Sequence, residues 1–315
     1  MSDEPFHHLP VMVHEIVALY EQVPPGFVLD ATLGGGGHAE HLLERWPHLK
    51  VLGIDRDERA LAAAQARLSR FGDRLCVYHC RFDRLDEAME ALSIQSLSGA
   101  LFDLGVSSPQ LDVAERGFSY RNDAPLDMRM DQTQQWSAAD VVNGYPAEQL
   151  ARVLQQYGDE RFARRIAAAI VAARPIESTA TLAEVVVSAI PAPARRTGGH
   201  PAKRTFQAIR IEVNRELDQL AEALDGAMAV LAPGGRMVVM SYHSLEDRMV
   251  KQTLRDAETG GCTCPPALPC VCGAEPTVRL LKRGAWKADE TEIALNRRAE
   301  SVRVRAAERL IPESA

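Results

Sequence analysis

The 315-residue sequence lacks any apolar run approaching the roughly 20 consecutive residues that a membrane-spanning helix needs. Residues 1–8 are polar and lack the apolar core and small-residue cleavage site of a secretory signal peptide. No internal repeat or low-complexity tract is present either. We therefore expect a cytoplasmic globular protein with one large domain or two of ordinary size.

The sequence also lacks an excess of positive charge, because 36 Lys and Arg against 43 Asp and Glu give a net charge of -7. This balance argues against a protein coated with cations for nonspecific binding of nucleic acid. A local basic stretch is still compatible with it, since phosphate contacts act within about a Debye length, ~8 Å. Between Glu184 and Glu212 there are five cations and no acid: Arg195, Arg196, Lys203, Arg204 and Arg210. This stretch is either a nucleic-acid contact, which we slightly favour, or a solvated loop.

A disulfide framework is missing as well. Of the six cysteines, Cys76 and Cys80 flank a predicted strand and are expected to be small core residues. The other four lie in one proline-rich segment: Cys262, Cys264, Cys270 and Cys272. In a reducing compartment such a cluster favours metal over disulfide, but its C-x-C spacing is less typical of zinc sites than C-x-x-C. Structural zinc and free thiols both remain open, and we assign no metal-binding residue.

Short apolar runs, most of them ending in an acid, alternate with amphipathic segments through the first third of the chain. Strands are predicted at residues 27–29, 51–54, 75–78 and 100–102, and a fifth at residues 237–240. Helical segments separate the first four strands, and this spacing is typical of right-handed β-α-β units. We therefore predict an α/β fold with a doubly wound, mostly parallel sheet.

The alternation stops between about residues 115 and 205, where the sequence indicates loops and helices but no convincing strand. We predict an inserted all-helical domain at residues 114–205 within a discontinuous domain of residues 1–113 and 206–315. Apolar residues then recur from Phe206 to Leu231 at three- and four-residue spacing, which predicts one long amphipathic helix. Residues 301–305 alternate polar and apolar and are predicted to form a final edge strand.

Four consecutive glycines, residues 34–37, lie after the first predicted strand and before a helix. Glycines at such a position let the backbone approach a ligand and leave helix N–H groups free to meet polar atoms. Asp30, Asp55 and Asp103 each end a predicted strand, at the edge where open α/β sheets bind ligands. Asp55 can accept hydrogen bonds from both ribose hydroxyls of an adenosine, whereas a helix cap is the simpler interpretation of a single strand-end acid.

Two cofactor classes fit this arrangement. Gly34, Gly36 and Ala39 satisfy the G-x-G-x-x-A fingerprint of dinucleotide-binding proteins, and Asp55 stands near the position of its acid. A nicotinamide-dependent oxidoreductase is therefore one alternative. A nonenzymatic RNA-binding assembly factor is another, although such a protein would not need two acids around a glycine turn.

Two features favour S-adenosylmethionine. Residues 30–36 resemble the glycine motif of class I methyltransferases, although Thr32 stands where the first glycine is usual. Residues 231–235, Leu-Ala-Pro-Gly-Gly, resemble the turn before the fifth strand of that class. The sequence is thus expected to have the fold of a class I S-adenosylmethionine-dependent methyltransferase.

Longer runs identify a family. These are residues 103–112 (DLGVSSPQLD), 115–120 (ERGFSY), 125–130 (PLDMRM), 200–208 (HPAKRTFQA) and 241–248 (SYHSLEDR). In this order they resemble the MraW (RsmH) family, the bacterial cytosine N4-methyltransferases of small-subunit ribosomal RNA. The resemblance covers nearly the whole chain and leaves out only about residues 257–287.

The resemblance implies a cofactor site for S-adenosylmethionine. Its expected residues are Gly36, Gly37, His38, Asp55, Phe82, Asp103 and Gln110. Asp103 is also our candidate catalytic residue, as an acceptor aimed at the amino group that is methylated. A core phenylalanine and a helix cap are the simpler interpretations of Phe82 and His38.

The resemblance also implies a partner, 16S ribosomal RNA or the small ribosomal subunit, with methylation at N4 of a cytidine in the decoding region. A homodimer is compatible with the sequence, and no membrane partner is expected. The helical insertion would recognise the RNA. Phe118 and Tyr120 are candidate stacking platforms for a base, or else core residues of the insertion.

Overall fold

The structure is a computed structural model, and it describes residues 10–105, 114–196, 199–265 and 271–312. Internal contacts divide the chain into two compact units. The sheet unit comprises Met1–Gly105 and Gln219–Ala315, and the helical unit comprises Val106–Asp218. None of the helices in the described ranges combines the length and apolar content that a membrane span requires.

The strands of the described residues are β1 (Gly26–Asp30), β2 (Leu49–Asp55), β3 (Leu75–His79), β4 (Leu97–Asp103), β5 (Leu231–Ser241), β6 (Val278–Leu280) and β7 (Arg303–Arg309). The helices are α1 (Val13–Ala18), α2 (Gly37–Arg45), α3 (Glu58–Leu68), α4 (Leu85–Ala91), α5 (Ala138–Gly144), α6 (Ala147–Gly158), α7 (Ala163–Ala172), α8 (Thr179–Ala189), α9 (Lys203–Asn214), α10 (Glu216–Ala229), α11 (Ser244–Thr259) and α12 (Glu290–Leu295).

All seven strands join one sheet in the order β3-β2-β1-β4-β5-β7-β6. Strands β1 to β5 pair in parallel, whereas β7 runs antiparallel to β5 and to β6. The predicted doubly wound, mostly parallel fold is therefore confirmed. The final strand predicted at residues 301–305 is confirmed as β7, but its predicted edge position is wrong: β7 lies between β5 and β6. The edge is formed by β6, a three-residue strand that the apolar pattern did not indicate.

The central strands are buried on both faces, which explains their near-continuous apolar sequence. Side chains of β4 alternate between two core clusters. Ala100 and Phe102 pack with residues of α4, α10 and α11, whereas Leu101 packs with residues of α1 and α2. The buried Tyr20 donates its hydroxyl to the carbonyl oxygen of Ala100 at 2.8 Å, so a polar group in this core is satisfied.

The helical unit has a core of its own, built from α5 to α9. Phe118 is only 7% exposed and belongs to this core, so of its two predicted roles the structure favours the core residue over the stacking platform. Tyr120 is partly buried, stacks on the ring of His200 with centroids 4.4 Å apart, and meets Phe206 edge-on.

The single long helix predicted from Phe206 to Leu231 is instead two helices, α9 and α10, separated by Arg215 in the left-handed region (φ 50°). The apolar spacing continues across this break, which is why the pattern does not reveal it. Apolar residues of α9 join the core of the helical unit, and those of α10 join the core of the sheet unit. The predicted domain boundary between residues 205 and 206 therefore falls inside the helical unit, and the contacts place the boundary between Asp218 and Gln219.

A matched pair of glycines tests the packing of this sheet. In Gly99→Ala the new methyl group would lie 2.5 Å from the Tyr20 ring, inside a closed core, so we expect a loss of about 1–3 kcal/mol in the free energy of unfolding. Gly226 lies at an exposed position inside α10, and the methyl group of Gly226→Ala would have no atom within 4 Å. This substitution should raise the free energy of unfolding by about 0.5–1 kcal/mol. Urea unfolding of both variants measures these changes. Equal changes in the free energy of unfolding would contradict the close packing of Gly99 against Tyr20.

Candidate active site

Three carboxylates gather at one edge of the sheet, because the parallel strands β1, β2 and β4 all end there. Asp30 is the last residue of β1, Asp55 of β2 and Asp103 of β4. Strand β1 pairs with both neighbours, so Asp30 lies between the other two acids. This is the edge at which open α/β sheets bind their ligands.

Asp55 organises the glycine turn. Its carboxylate accepts a hydrogen bond from the backbone N–H of Gly34 (2.9 Å) and another from that of Asp57 (2.9 Å). Burial raises the pKa of Asp55, and these two hydrogen bonds partly offset that effect. Because a carboxylate has about four acceptor positions, each of its oxygens can accept a further hydrogen bond from a ligand hydroxyl.

The turn continues into α2 through Gly36, which adopts a left-handed conformation (φ 77°) at the helix N-cap position. A methyl group at Gly36 would lie 2.8 Å from Leu68, so the left-handed turn and this close packing both favour glycine there, and one at Gly37 would make a tight 3.1 Å contact with Pro10. Among the residues that the structure describes, no side chain caps the start of α2. Its first N–H groups therefore offer donors to the polar atoms of a ligand.

His38 is not a helix cap, contrary to the simpler interpretation of its sequence position. The ring is buried, with Nε2 2.9 Å from the carbonyl oxygen of Val11. Its Nδ1 lies 3.7 Å from Oδ2 of Asp103. His38 therefore faces the acid at the end of β4 from within the fold.

Hydrogen bonds to two neighbouring side chains hold Asp103 in position. Its backbone N–H donates to Oγ1 of Thr32 at 2.8 Å, and its Oδ1 accepts the hydroxyl proton of Tyr242 at 2.7 Å. Burial and the neighbouring Asp103 charge raise the pKa of Tyr242 well above its usual value, so the phenol keeps its proton and acts as a donor. The Asp103 side chain remains 28% exposed, and a substrate group can still reach it.

Two of these contacts were missed by sequence reasoning. Thr32 occupies the position where the class I motif usually has a glycine, and the structure gives its hydroxyl a partner on β4. Tyr242 belongs to the 241–248 run, directly after β5, which neighbours β4 in the sheet. That adjacency is the signal that could have placed Tyr242 beside Asp103.

Phe82 and Gln110 are the remaining residues of the predicted site. Phe82 is partly buried and meets Phe102 edge-on, with ring centroids 6.3 Å apart, so it has partial core character and a face that is not fully covered. Gln110 lies outside the described residues. His243, which belongs to the 241–248 run, is the N-cap of α11: its Nδ1 accepts a hydrogen bond from the backbone N–H of Glu246 at 3.3 Å.

The third carboxyl, Asp30, has a strongly raised pKa. Burial raises its pKa to about 7, and the charges of Asp103 and Asp55 add to that increase. The nearby His38 and the N–H of Thr32 act in the opposite direction. Because Asp30 is only 2% exposed, it influences the electrostatics of the site from a buried position.

These residues fit an adenosine-containing cofactor. Asp55 has carboxylate oxygens that can accept hydrogen bonds from hydroxyl groups, the start of α2 has N–H groups that the helix itself does not pair, and Phe82 is apolar and only partly buried. A second acid, Asp103, stands at the end of the next-but-one strand, where a reacting group would need an acceptor. Together with the strand order and the antiparallel β7, this crevice defines a class I methyltransferase domain that uses S-adenosylmethionine.

Comparison with known proteins identifies the family. Residues 5–310 match the MraW methylase family. The chain is 53% identical over 309 residues to the ribosomal RNA small subunit methyltransferase H of Thermobifida fusca, covering 96% of this chain and 93% of that protein. It is 50% identical over 311 residues to the protein of the same name from Symbiobacterium thermophilum, covering 97% of each. The chain belongs to the MraW methylase family and is a methyltransferase.

The buried Asp30 predicts an unusual pH dependence of stability. Because the pKa of Asp30 is about 7 in the folded protein and 3.8 for an unperturbed aspartate carboxyl, the folded state retains a proton that the unfolded state has lost between these two pH values. The free energy of unfolding should therefore fall as pH rises from about 5 to 8. Asp30→Asn should remove this decrease and be more stable than wild type by up to about 4 kcal/mol at about pH 8.

Urea unfolding at the two pH values measures the effect. Asp73→Asn is the matched control, because the Asp73 side chain is 89% exposed and should not alter the pH dependence. Stability curves of wild type and Asp30→Asn that run parallel across this pH range would contradict the assignment.

Proposed function

We propose that the protein transfers a methyl group from S-adenosylmethionine to N4 of a cytidine in the decoding region of 16S ribosomal RNA. The observation that carries this proposal is the group of acids at the sheet edge, with Asp55 beside the glycine turn and Asp103 held by Tyr242. Relatives of about half identity, named as methyltransferases of small-subunit ribosomal RNA, support the choice of substrate. Because that RNA is cytoplasmic in bacteria, we assign the protein to the cytoplasm.

In the proposed site, different residues contact different parts of S-adenosylmethionine. Asp55 accepts hydrogen bonds from the ribose, and the turn at Gly36 and Gly37 gives the cofactor access to the N–H groups of α2. Phe82 packs against the adenine region. The bound cofactor supplies an activated methyl group on a positively charged sulfur. Asp103 lies on the side of the crevice toward which that sulfur would point.

The amino group of cytosine is a poor nucleophile, because its lone pair is delocalised into the ring. The cofactor would supply the methyl group, and N4 would gain that group and lose one of its protons. A carboxylate that accepts an N–H of this amino group localises the lone pair and stabilises the positive charge that develops. Asp103 is the proposed acceptor, and Tyr242 is a positioning residue that holds its Oδ1 at 2.7 Å. Correct alignment of the reacting atoms supplies much of the remaining acceleration.

The basic stretch of the helical unit is the proposed contact for RNA phosphates, although its cations differ in their surroundings. Arg195 donates to the carbonyl oxygen of Ile190 (2.7 Å), and Arg204 to that of Asp159 (3.1 Å). Arg210 forms a bidentate pair with Glu216. Arg196 and Lys203 are exposed, and we propose them as the principal phosphate contacts.

The direct test is transfer of a labelled methyl group to small-subunit ribosomal RNA, followed by identification of the modified nucleoside. We expect N4-methylcytidine from RNA or from assembled small subunits. Calorimetry with S-adenosylmethionine and with NAD separates the alternatives: binding of NAD alone would favour an oxidoreductase, and binding of neither would favour a nonenzymatic assembly factor.

Variants of the site separate binding from chemistry. Asp103→Ala should lower kcat by about 10²–10³-fold while the protein still folds and binds S-adenosylmethionine. Tyr242→Phe, which removes only the hydroxyl, should lower kcat by about 10-fold, since one hydrogen bond to a charged group contributes about 1.5 kcal/mol or more. Single-turnover methyl transfer measures both rates.

Asp55→Ala is the matched control for these two variants. It removes the proposed ribose contact and should weaken the calorimetric affinity for S-adenosylmethionine much more than it lowers kcat. Full turnover by Asp103→Ala would remove Asp103 from the mechanism, and wild-type turnover by Tyr242→Phe would remove the positioning role of Tyr242.

A further inference from the structure

The segment between α11 and β6 lacks a core of its own. Its described residues, 260–265 and 271–277, form neither helix nor strand, and none of them is buried. Val271, for example, is 87% exposed. A connection of this length whose described residues have no secondary structure is uncommon in a compact domain, so some other interaction is expected to order those residues.

The two ends of the segment are held side by side. Gly260 ends α11 in the left-handed region (φ 62°), and a methyl group there would lie 2.5 Å from the backbone of Glu275. The N–H of Thr277 donates to the carbonyl oxygen of Ala257 at 2.9 Å. The chain therefore reverses direction after α11, so that Glu275 and Thr277 lie beside the end of that helix.

This reversal brings three cysteines together. The Sγ atoms of Cys262, Cys264 and Cys272 all lie within 4.8 Å of one another, and those of Cys262 and Cys272 are 3.5 Å apart. A disulfide would require about 2.05 Å, so the latter two sulfurs are not bonded to each other. Four sulfurs around a tetrahedral zinc ion, with Zn–S about 2.3 Å, are separated by about 3.8 Å. The three thiols thus stand at the spacing of zinc ligands before any metal is added.

We propose that Cys262, Cys264 and Cys272 bind a structural Zn²⁺ ion as thiolates, and that the ion orders the connection between α11 and β6. Each thiol loses its proton on binding, and a further donor completes the tetrahedron. Zinc is favoured over harder cations because all three ligands are soft sulfur atoms. Cys270 lies outside the described residues, and the assignment does not depend on it. The proposal is independent of methyl transfer, because it concerns a segment that supplies no residue to the crevice.

The metal content of the full-length protein tests this site. Protein purified in the presence of a phosphine reductant, without chelator, should contain about one zinc ion per chain by mass spectrometry of the metal. The double variant Cys262→Ser/Cys272→Ser should lose it. Cys76→Ser is the matched control, because Cys76 lies on β3 and should leave the zinc content unchanged.

Two readouts remain informative if the double variant folds poorly. Cobalt(II) substituted into the wild-type protein should give thiolate-to-metal charge-transfer absorption and the visible bands of a tetrahedral site. Removal of zinc with a chelator should raise hydrogen exchange in residues 261–265 and 271–277, while the strands of the sheet keep their protection.

The proposal is overturned if the reduced wild-type protein fails to retain zinc after incubation with an equimolar amount. It is also overturned if the double variant retains the ion, or if peptide mapping of the reduced preparation shows a Cys262–Cys272 disulfide instead. An iron–sulfur chromophore in the purified protein would replace zinc with another metal and equally contradict it.

Discussion

The crowding of three carboxylates at one edge of a parallel sheet is the constraint on which the site depends. Asp30, Asp55 and Asp103 end neighbouring strands, and their mutual repulsion must be offset by the fold. The compensation differs for each acid: Asp55 accepts two backbone N–H groups, Asp103 accepts the Tyr242 hydroxyl, and Asp30 lies so deep that its pKa rises to about 7. The three side chains are chemically identical, but their surroundings give them different hydrogen-bond partners and different degrees of burial.

Much of this arrangement could be predicted from the sequence. Strands buried on both faces have near-continuous apolar sequences, and parallel strands end at the same edge, so the acids at the ends of β1, β2 and β4 were expected to meet. The inserted helices were also recognisable by apolar spacing. The fold class and the family followed from patterns that are local in sequence or fixed in order along the chain.

The rest depends on contacts that no local pattern encodes. Tyr242 and Asp103 are 139 residues apart, and only the adjacency of β4 and β5 joins them. The break at Arg215 interrupts no apolar repeat, and β6 is too short to produce one. The cysteines of the α11–β6 connection were recognisable as a cluster, but C-x-C spacing alone does not say whether the thiols converge. The reversal at Gly260 decides that in three dimensions.

A crystal structure of the protein with S-adenosylhomocysteine, the demethylated product of the cofactor, tests the central claim most directly. The account predicts that both ribose hydroxyls donate to the carboxylate of Asp55 and that the sulfur faces Asp103 across the tips of β1 and β4. A nucleoside bound away from the glycine turn, or a sulfur directed away from Asp103, would contradict it.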